Sequence, residues 1–271
     1  TFPDKYLDLG IAEQNMIGVA AGLSSEGYNV ITTTFAPFQT MRCCEQVKVN
    51  FGYMKNKVCM VGIASGLVLG TLGYTHCCIE DLGVLRSIPG ITILSPADSL
   101  ETIKCIKAGI ENKIPTYVRL TGAANNPIVY AKDYDFEIGK SIKLKDGKDI
   151  TIFCTGSMVS ESLKSASILE KFNINPSVIN IHTIKPIDKS AVNQACKNSK
   201  IIVSVEEHNI IGGLGSAIAE VKSQIENSPK HLILGIKDLY GKGGSYNFLK
   251  KKHRLTAELI AEDIKNIYDR K

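Results

Sequence analysis

The chain has 271 residues, 44% of them hydrophobic and 22% charged, with a formal net charge of +5. That length fits two domains of ordinary size, each able to bury a core, and no apolar run approaches the ~20 residues of a membrane span, which speaks against a membrane role. The charge is spread along the chain, and the one dense basic cluster, Lys250-Lys251-Lys252-His253-Arg254, has no interleaved aromatic residues, so it reads as a solvated face and not as a nucleic-acid surface.

In chain order, the first distinctive stretch is Gly10-Ile11-Ala12-Glu13-Gln14-Asn15-Met16, continuing in small and apolar residues to Leu23. Glu13 opens this helix, and the residues behind it carry its carboxyl toward an interior with little water. Gly18, Ala21 and Gly22 recur at helical spacing and leave a face almost without side chains, open to close approach by another helix, including the same helix of a second subunit. An active site at an interface and a capped, packed core helix both satisfy these residues.

A β-branched strand follows at 28–34, then a helix at 38–51, a strand at 57–63 and a loop containing Gly66, Gly70 and Gly73. A short helix ends at Ser87-Ile88-Pro89, and strand 91–94, helix 100–110 and strand 115–119 complete a first series. Residues 123–148 carry turn residues and charge with little periodicity, and are read as a linker. A second series begins with strand 149–154 and runs through helix 159–171, strand 176–181, a helix, strand 201–205, helix 215–225, strand 232–236 and a terminal helix. Strands alternating with helices predict two consecutive α/β domains, 1–122 and 149–271, with mostly parallel sheets covered by helices.

Four side chains stand out as candidates for chemistry. Phe35 and Phe38 flank Ala36-Pro37 just past a strand end, where parallel sheets place ligands, although aromatic rings there also serve as core. His76 follows the glycine-rich loop, where a histidine is either structural or placed for acid–base work. Arg119 ends a strand and suits either a carboxylate partner or a phosphate, given its planar paired donors. Gly213-Leu214-Gly215 lacks the third glycine of a dinucleotide loop, since Ile218 holds that place. Eight cysteines show no CxxC spacing and read as reduced, mostly buried thiols. With no visible signal peptide they point to the cytoplasm.

Six stretches together (10–23, 34–38, 73–76 with 79–81, 95–98, 185–188, and 205–208 through 212–215) resemble, in the same order, the pyrimidine-binding and C-terminal domains of the transketolase family of thiamine diphosphate enzymes. The resemblance covers nearly the whole chain, with the first strand and helix of the pyrimidine-binding domain missing and native residues expected before Thr1. It implies that Glu13 hydrogen-bonds a ring nitrogen of the cofactor's aminopyrimidine, that Ile11, Phe35 and Phe38 contact the cofactor, and that His76 assists proton movement near the substrate. It also implies that Arg119 binds a sugar phosphate.

The family's Gly-Asp-Gly element, which holds Mg2+ and the diphosphate, does not occur in the sequence. The pattern therefore resembles one chain of a split transketolase, with no metal ligands of its own. A partner chain is expected to carry the diphosphate-binding domain in a heterotetramer, with self-association through the Glu13 helix and the C-terminal domain. Where the family usually has a tyrosine three residues after the second phenylalanine, this chain has Met41. Where it has an aspartate four residues and a histidine twelve residues before the loop histidine, this chain has Leu72 and Ala64, departures that suggest an unusual sugar, branched or deoxy. The alternatives are part of a 1-deoxyxylulose-5-phosphate synthase, a 2-oxo acid dehydrogenase beta-type subunit, or a non-catalytic scaffold homologue.

Overall fold

The structure is a computed structural model that describes residues 2–122 and 126–270. After a 3-10 turn at Pro3–Lys5, the elements are α1 (Glu13–Ser25), β1 (Val30–Phe35), α2 (Ala36–Gln39), α3 (Cys44–Gln46), a π-helix (Val47–Tyr53), β2 (Val58–Ser65), α4 (Asp81–Arg86), β3 (Thr92–Leu94), α5 (Ser99–Glu111) and β4 (Thr116–Thr121). The chain continues through β5 (Ile142–Lys145), β6 (Ile150–Cys154), α6 (Met158–Glu170), β7 (Pro176–Asn180), β8 (Thr183–Lys185), α7 (Lys189–Asn198), β9 (Ile201–Asn209), α8 (Leu214–Lys222), β10 (Lys230–Ile236), α9 (Tyr246–Lys252) and α10 (Ala257–Tyr268).

Two five-stranded sheets result, ordered β1-β2-β4-β3-β8 and β10-β9-β6-β7-β5. All pairings are parallel except β3 with β8 and β5 with β7, which are antiparallel at one edge of each sheet. β2 and β6 are apolar and buried over most of their length, as strands covered on both faces must be, and β9 is buried along an apolar start and a polar second half. The helices α5 and α7 start at acidic caps: Asp98 accepts from Glu101 N at 3.0 Å, and Asp188 from Ala191 N at 3.0 Å. Each satisfies an otherwise orphaned helix N–H.

Three sequence-based expectations change. The helix read at 38–51 is broken into α2, α3 and the π-helix. The Thr40 hydroxyl bonds back to Ala36 O at 2.6 Å and Cys43 Sγ to Phe38 O at 3.1 Å, and such local side-chain bonds compete with the helical ladder. Within the segment read as linker, residues 142–145 form β5, which adds an edge to the second sheet. Finally, β8 crosses over to the first sheet, pairing Leu94 with Thr183 and Ile93 with Lys185. The Lys185-Pro186-Ile187-Asp188 motif is thus a joint between the two halves, with Lys185 Nζ donating to Arg86 O at 2.9 Å. The cysteines are all free and, apart from Cys44, buried. No helix among the described residues is long and apolar enough to cross a membrane.

Candidate functional site

The C-terminal ends of β1 and β2 carry Phe35, Phe38 and His76 of the side chains that the sequence singled out in the first half. β1 ends at Phe35, and α2 begins at once with Pro37 in its first turn, where a missing N–H costs nothing. Gln39 locks this corner: its amide donates to Val61 O at 2.5 Å and accepts from the Thr32 hydroxyl at 3.0 Å. Phe38 is thereby held half-buried, 6.0 Å between ring centroids from Phe35 and 5.4 Å from His76, both edge-on.

His76 sits in the loop that leaves β2. Gly66 and Cys78 exchange backbone hydrogen bonds across its base, at 2.7 and 3.0 Å, closing the loop. Gly66 is at φ +76, and a Cβ there would collide with the Glu207 carboxylate, so only glycine fits. The same carboxylate accepts from Leu67 N at 2.7 Å, from Tyr246 OH at 2.6 Å and from the Ser157 hydroxyl. The C-terminal half therefore holds the loop in place, helped by Tyr74 OH against His253 Nε2 at 2.7 Å and Gly244 N donating to Gly70 O at 2.9 Å. Within the loop, Thr75 Oγ1 lies 3.0 Å from His76 Nδ1, which leaves Nε2 as the nitrogen available for exchange with a ligand.

Glu13 begins α1 and its side chain is only 8% exposed. Its carboxylate is paired with Arg42 Nη1 at 2.7 Å, a partner that the sequence reading missed. The same guanidinium lies over the Phe38 ring, its Cζ 4.0 Å from the centroid, and the Arg42 carbonyl accepts from Gln14 Nε2 at 3.1 Å. Arg42 thus bridges the acid and the ring. Arg42 lies in the turn that follows α2, so its place over Phe38 comes from that turn and helical spacing gave no signal for it. Ile11, by contrast, is 93% exposed, and its side chain is not gathered into this cluster.

Arg119 is a correction. It was expected to reach a sugar phosphate, but it is 1% exposed and bonds to buried acceptors within the protein. Its Nε donates to Asp81 Oδ1 and Oδ2 at 3.0 and 2.8 Å, and its Nη2 to Cys78 O and Glu207 O at 3.3 and 3.1 Å. Tyr117 OH adds a bond to Asp81 Oδ2 at 2.8 Å. Burial opposes charge on Asp81, yet Arg119 and the neighbouring donors hold its carboxyl below the usual range. Through Nε and Nη2 the guanidinium is tied to buried acceptors, which fixes it inside the fold as the partner of Asp81.

The motif Val205-Glu206-Glu207-His208 lies in the same buried layer. Glu206 accepts from Leu214 N and Gly215 N at 2.6 and 2.8 Å, and burial raises its pKa to about 7 despite those bonds. Burial lowers that of His208 to about 4. The glycines at 213 and 215 face this carboxylate, so the Gly-Leu-Gly stretch serves packing.

The residues needed for an aminopyrimidine fit in kind: a shielded carboxylate, an aromatic face and a neighbouring histidine. Comparison with known proteins gives the same direction. The transketolase pyrimidine-binding domain matches residues 1–125 and the transketolase C-terminal domain residues 139–260. A 6-deoxy-6-sulfo-D-fructose transketolase subunit of Clostridium sp. (strain MSTE9) is 37% identical over 270 residues, 99% of this chain and 83% of the relative. One of the subunits of an apulose-4-phosphate transketolase from Phocaeicola vulgatus is 36% identical over 236 residues, covering 87% of this chain and 75% of the relative. A solved split-gene transketolase, described as an inactive beta4 tetramer, superposes with a TM-score of 0.88 at 35% identity, over 98% of this chain and 84% of that one. With both family domains matched and the site at the expected strand ends, the chain belongs to the transketolase family, as a chain carrying its pyrimidine-binding and C-terminal domains.

Proposed function

We propose that this chain is one subunit of a two-chain, thiamine diphosphate-dependent transketolase that transfers a two-carbon ketol group from a ketose phosphate to an aldose phosphate. The observation that carries the reading is the convergence of Glu13 and Phe38 on one point, marked by Arg42, with His76 edge-on to the ring. When bound, thiamine diphosphate supplies the nucleophilic carbon and the electron sink of ketol transfer. Glu13 holds the aminopyrimidine through its carboxylate, Phe38 stacks on the ring, and Phe35 supports Phe38. His76 exchanges a proton with a substrate oxygen through Nε2. The Mg2+ and diphosphate ligands are assigned to a second chain bearing the Gly-Asp-Gly element.

Self-association is assigned to α1 and the C-terminal half. Gly18 and Gly22 are exposed, and a Cβ at either would meet nothing within 4 Å, which leaves room for a second helix backbone. Eight free thiols support a cytoplasmic setting. Two relatives carry unusual sugars in their names, a sulfofructose and apulose phosphate. Together with the Leu72 and Ala64 departures, they support a modified sugar as the substrate here.

The test is calorimetry with thiamine diphosphate and Mg2+, on this chain alone and with its partner chain. Tight binding is expected only with the partner. Tight, Mg2+-dependent binding by this chain alone contradicts the two-chain assembly, and no binding by the pair sinks the cofactor reading. The reconstituted enzyme is then assayed with xylulose 5-phosphate and ribose 5-phosphate against a panel of branched, deoxy and sulfonated ketoses.

A further inference from the structure

The two groups assigned to the aminopyrimidine are already engaged, and by the same side chain. Arg42 puts a planar cation over the face of Phe38, 4.0 Å from the centroid, and donates Nη1 to Glu13 Oε2 at 2.7 Å. A stacked, flat, nitrogen-bearing group that donates a hydrogen bond to a shielded carboxylate has the recognition chemistry of the aminopyrimidine itself. Arg42 occupies one oxygen of the carboxylate and one face of the ring, the positions that an incoming planar donor would take on that side.

From this geometry we infer that Arg42 is a built-in competitor for the aminopyrimidine subsite, which leaves the Phe38 face and the Glu13 carboxylate when the cofactor seats. The inference rests on the cofactor reading above and adds a residue that the reading does not use. Three observations make the side chain displaceable while its anchor stays. The Arg42 side chain is 42% exposed, so water can receive the guanidinium when it swings out. Among the described residues, the guanidinium is held by one carboxylate and one ring. The backbone, in contrast, is pinned, because Gln14 Nε2 bonds the Arg42 carbonyl and Arg42 N bonds Pro37 O at 3.2 Å. Movement is therefore confined to the side chain, and α1 stays registered against the turn at 40–43.

The consequence is a gate with two functions. Without cofactor, Arg42 shields the aromatic face and pairs the shielded Glu13 carboxylate. With cofactor, it costs the site part of its affinity. A half-exposed ion pair and a surface cation–π contact are each weak, so the competition is modest and reversible.

The experiment compares wild type, Arg42→Ala and Arg42→Lys, each with the partner chain and Mg2+. It reads thiamine diphosphate affinity by calorimetry and association rate by stopped-flow circular dichroism. Removing the competitor in Arg42→Ala is expected to tighten binding roughly tenfold, equivalent to about 1.4 kcal/mol, mainly through faster association. Arg42→Lys keeps the ion pair but loses the planar stack, and is expected to fall between the two. Unchanged affinity overturns the inference and leaves the proposed function standing. Weaker binding in Arg42→Ala overturns it as well, by making Arg42 a cofactor ligand. Wild-type protein that takes up no cofactor with its partner removes the proposed function, and the inference with it.

Discussion

Two arginine–carboxylate pairs of almost equal length sit in the first half of this molecule and behave as opposites. Arg42 meets Glu13 at 2.7 Å and Arg119 meets Asp81 at 2.8 Å. Arg119 is 1% exposed and donates to a carboxylate and two carbonyls, while Tyr117 caps the same acid. Arg42 is 42% exposed, with one acid and one ring. Distance does not separate the two pairs; burial does. A pair enclosed inside the protein can only be broken at the cost of an unpaired buried charge. One at the surface can be replaced by a ligand.

The contrast between the pairs is tested hardest at Glu13. Glu13→Gln keeps the volume and a hydrogen-bonding end but cannot act as an acid or base, so ketol transfer by the reconstituted enzyme should fall roughly 10²–10⁴-fold, with cofactor still bound by calorimetry. Turnover near wild type would return Glu13 to a packing role. The opposite pair should fail in stability. Arg119→Ala leaves Asp81 buried and unpaired, at a cost of about 3–5 kcal/mol in urea unfolding. A stable variant that had lost only sugar phosphate affinity would reinstate Arg119 as a ligand.

A third test uses pH and the buried layer behind Arg119. Burial lowers the pKa of His182, His208 and His231 to about 4 each. Between that value and the unfolded value of about 6.5, the unfolded chain binds more protons, so stability rises with pH. Acidification from pH 7 to 5 should cost about 2 kcal/mol per histidine. Glu206, raised to about 7, works the other way: its ionisation costs stability between about 4.5 and 7. Burial also raises Glu80 and Glu101, which act with Glu206, and lowers His253, which acts with the other histidines. The three large histidine shifts predict a lower melting temperature at pH 5 than at pH 7, with a shallower slope in His231→Gln. A melting temperature that rises on acidification would give the raised carboxyls the larger share.

The smallest effect is expected at Leu72, which is 55% exposed in the loop before His76. Leu72→Asp should leave stability within about 0.5 kcal/mol while shifting preference toward xylulose 5-phosphate and ribose 5-phosphate. If the standard pair already reacts best and the aspartate adds nothing, the departure at this position is neutral.

Most of the secondary structure was legible because it is local. β-branched runs such as Val30-Ile31-Thr32-Thr33-Thr34 and Ile150-Thr151-Ile152 carry their own strand preference, and the Asp98 cap with Glu101 marks its own helix start. Within the candidate site, Phe35, Phe38 and His76 were found by their places after a strand end and a glycine loop, and the structure brings these three together. Arg42 was overlooked because its significance comes from Glu13, 29 residues away. For Arg119 the sequence left a carboxylate partner and a phosphate both open, because a strand-end arginine looks the same whether or not Asp81 and the Glu207 carbonyl close over it.

The chain by itself determined the alternation of strands and helices, two mostly parallel sheets, and the places of Phe35, Phe38 and His76 after the ends of β1 and β2. Period-two and period-3.6 patterning acts between neighbours and needs nothing distant. Only the tertiary structure decided that β8 belongs to the first sheet, that β5 closes the second, and that one arginine is buried while the other is half-exposed. Those outcomes depend on desolvation and on hydrogen bonds between residues far apart in sequence, whose strength is set by the water that the finished fold excludes.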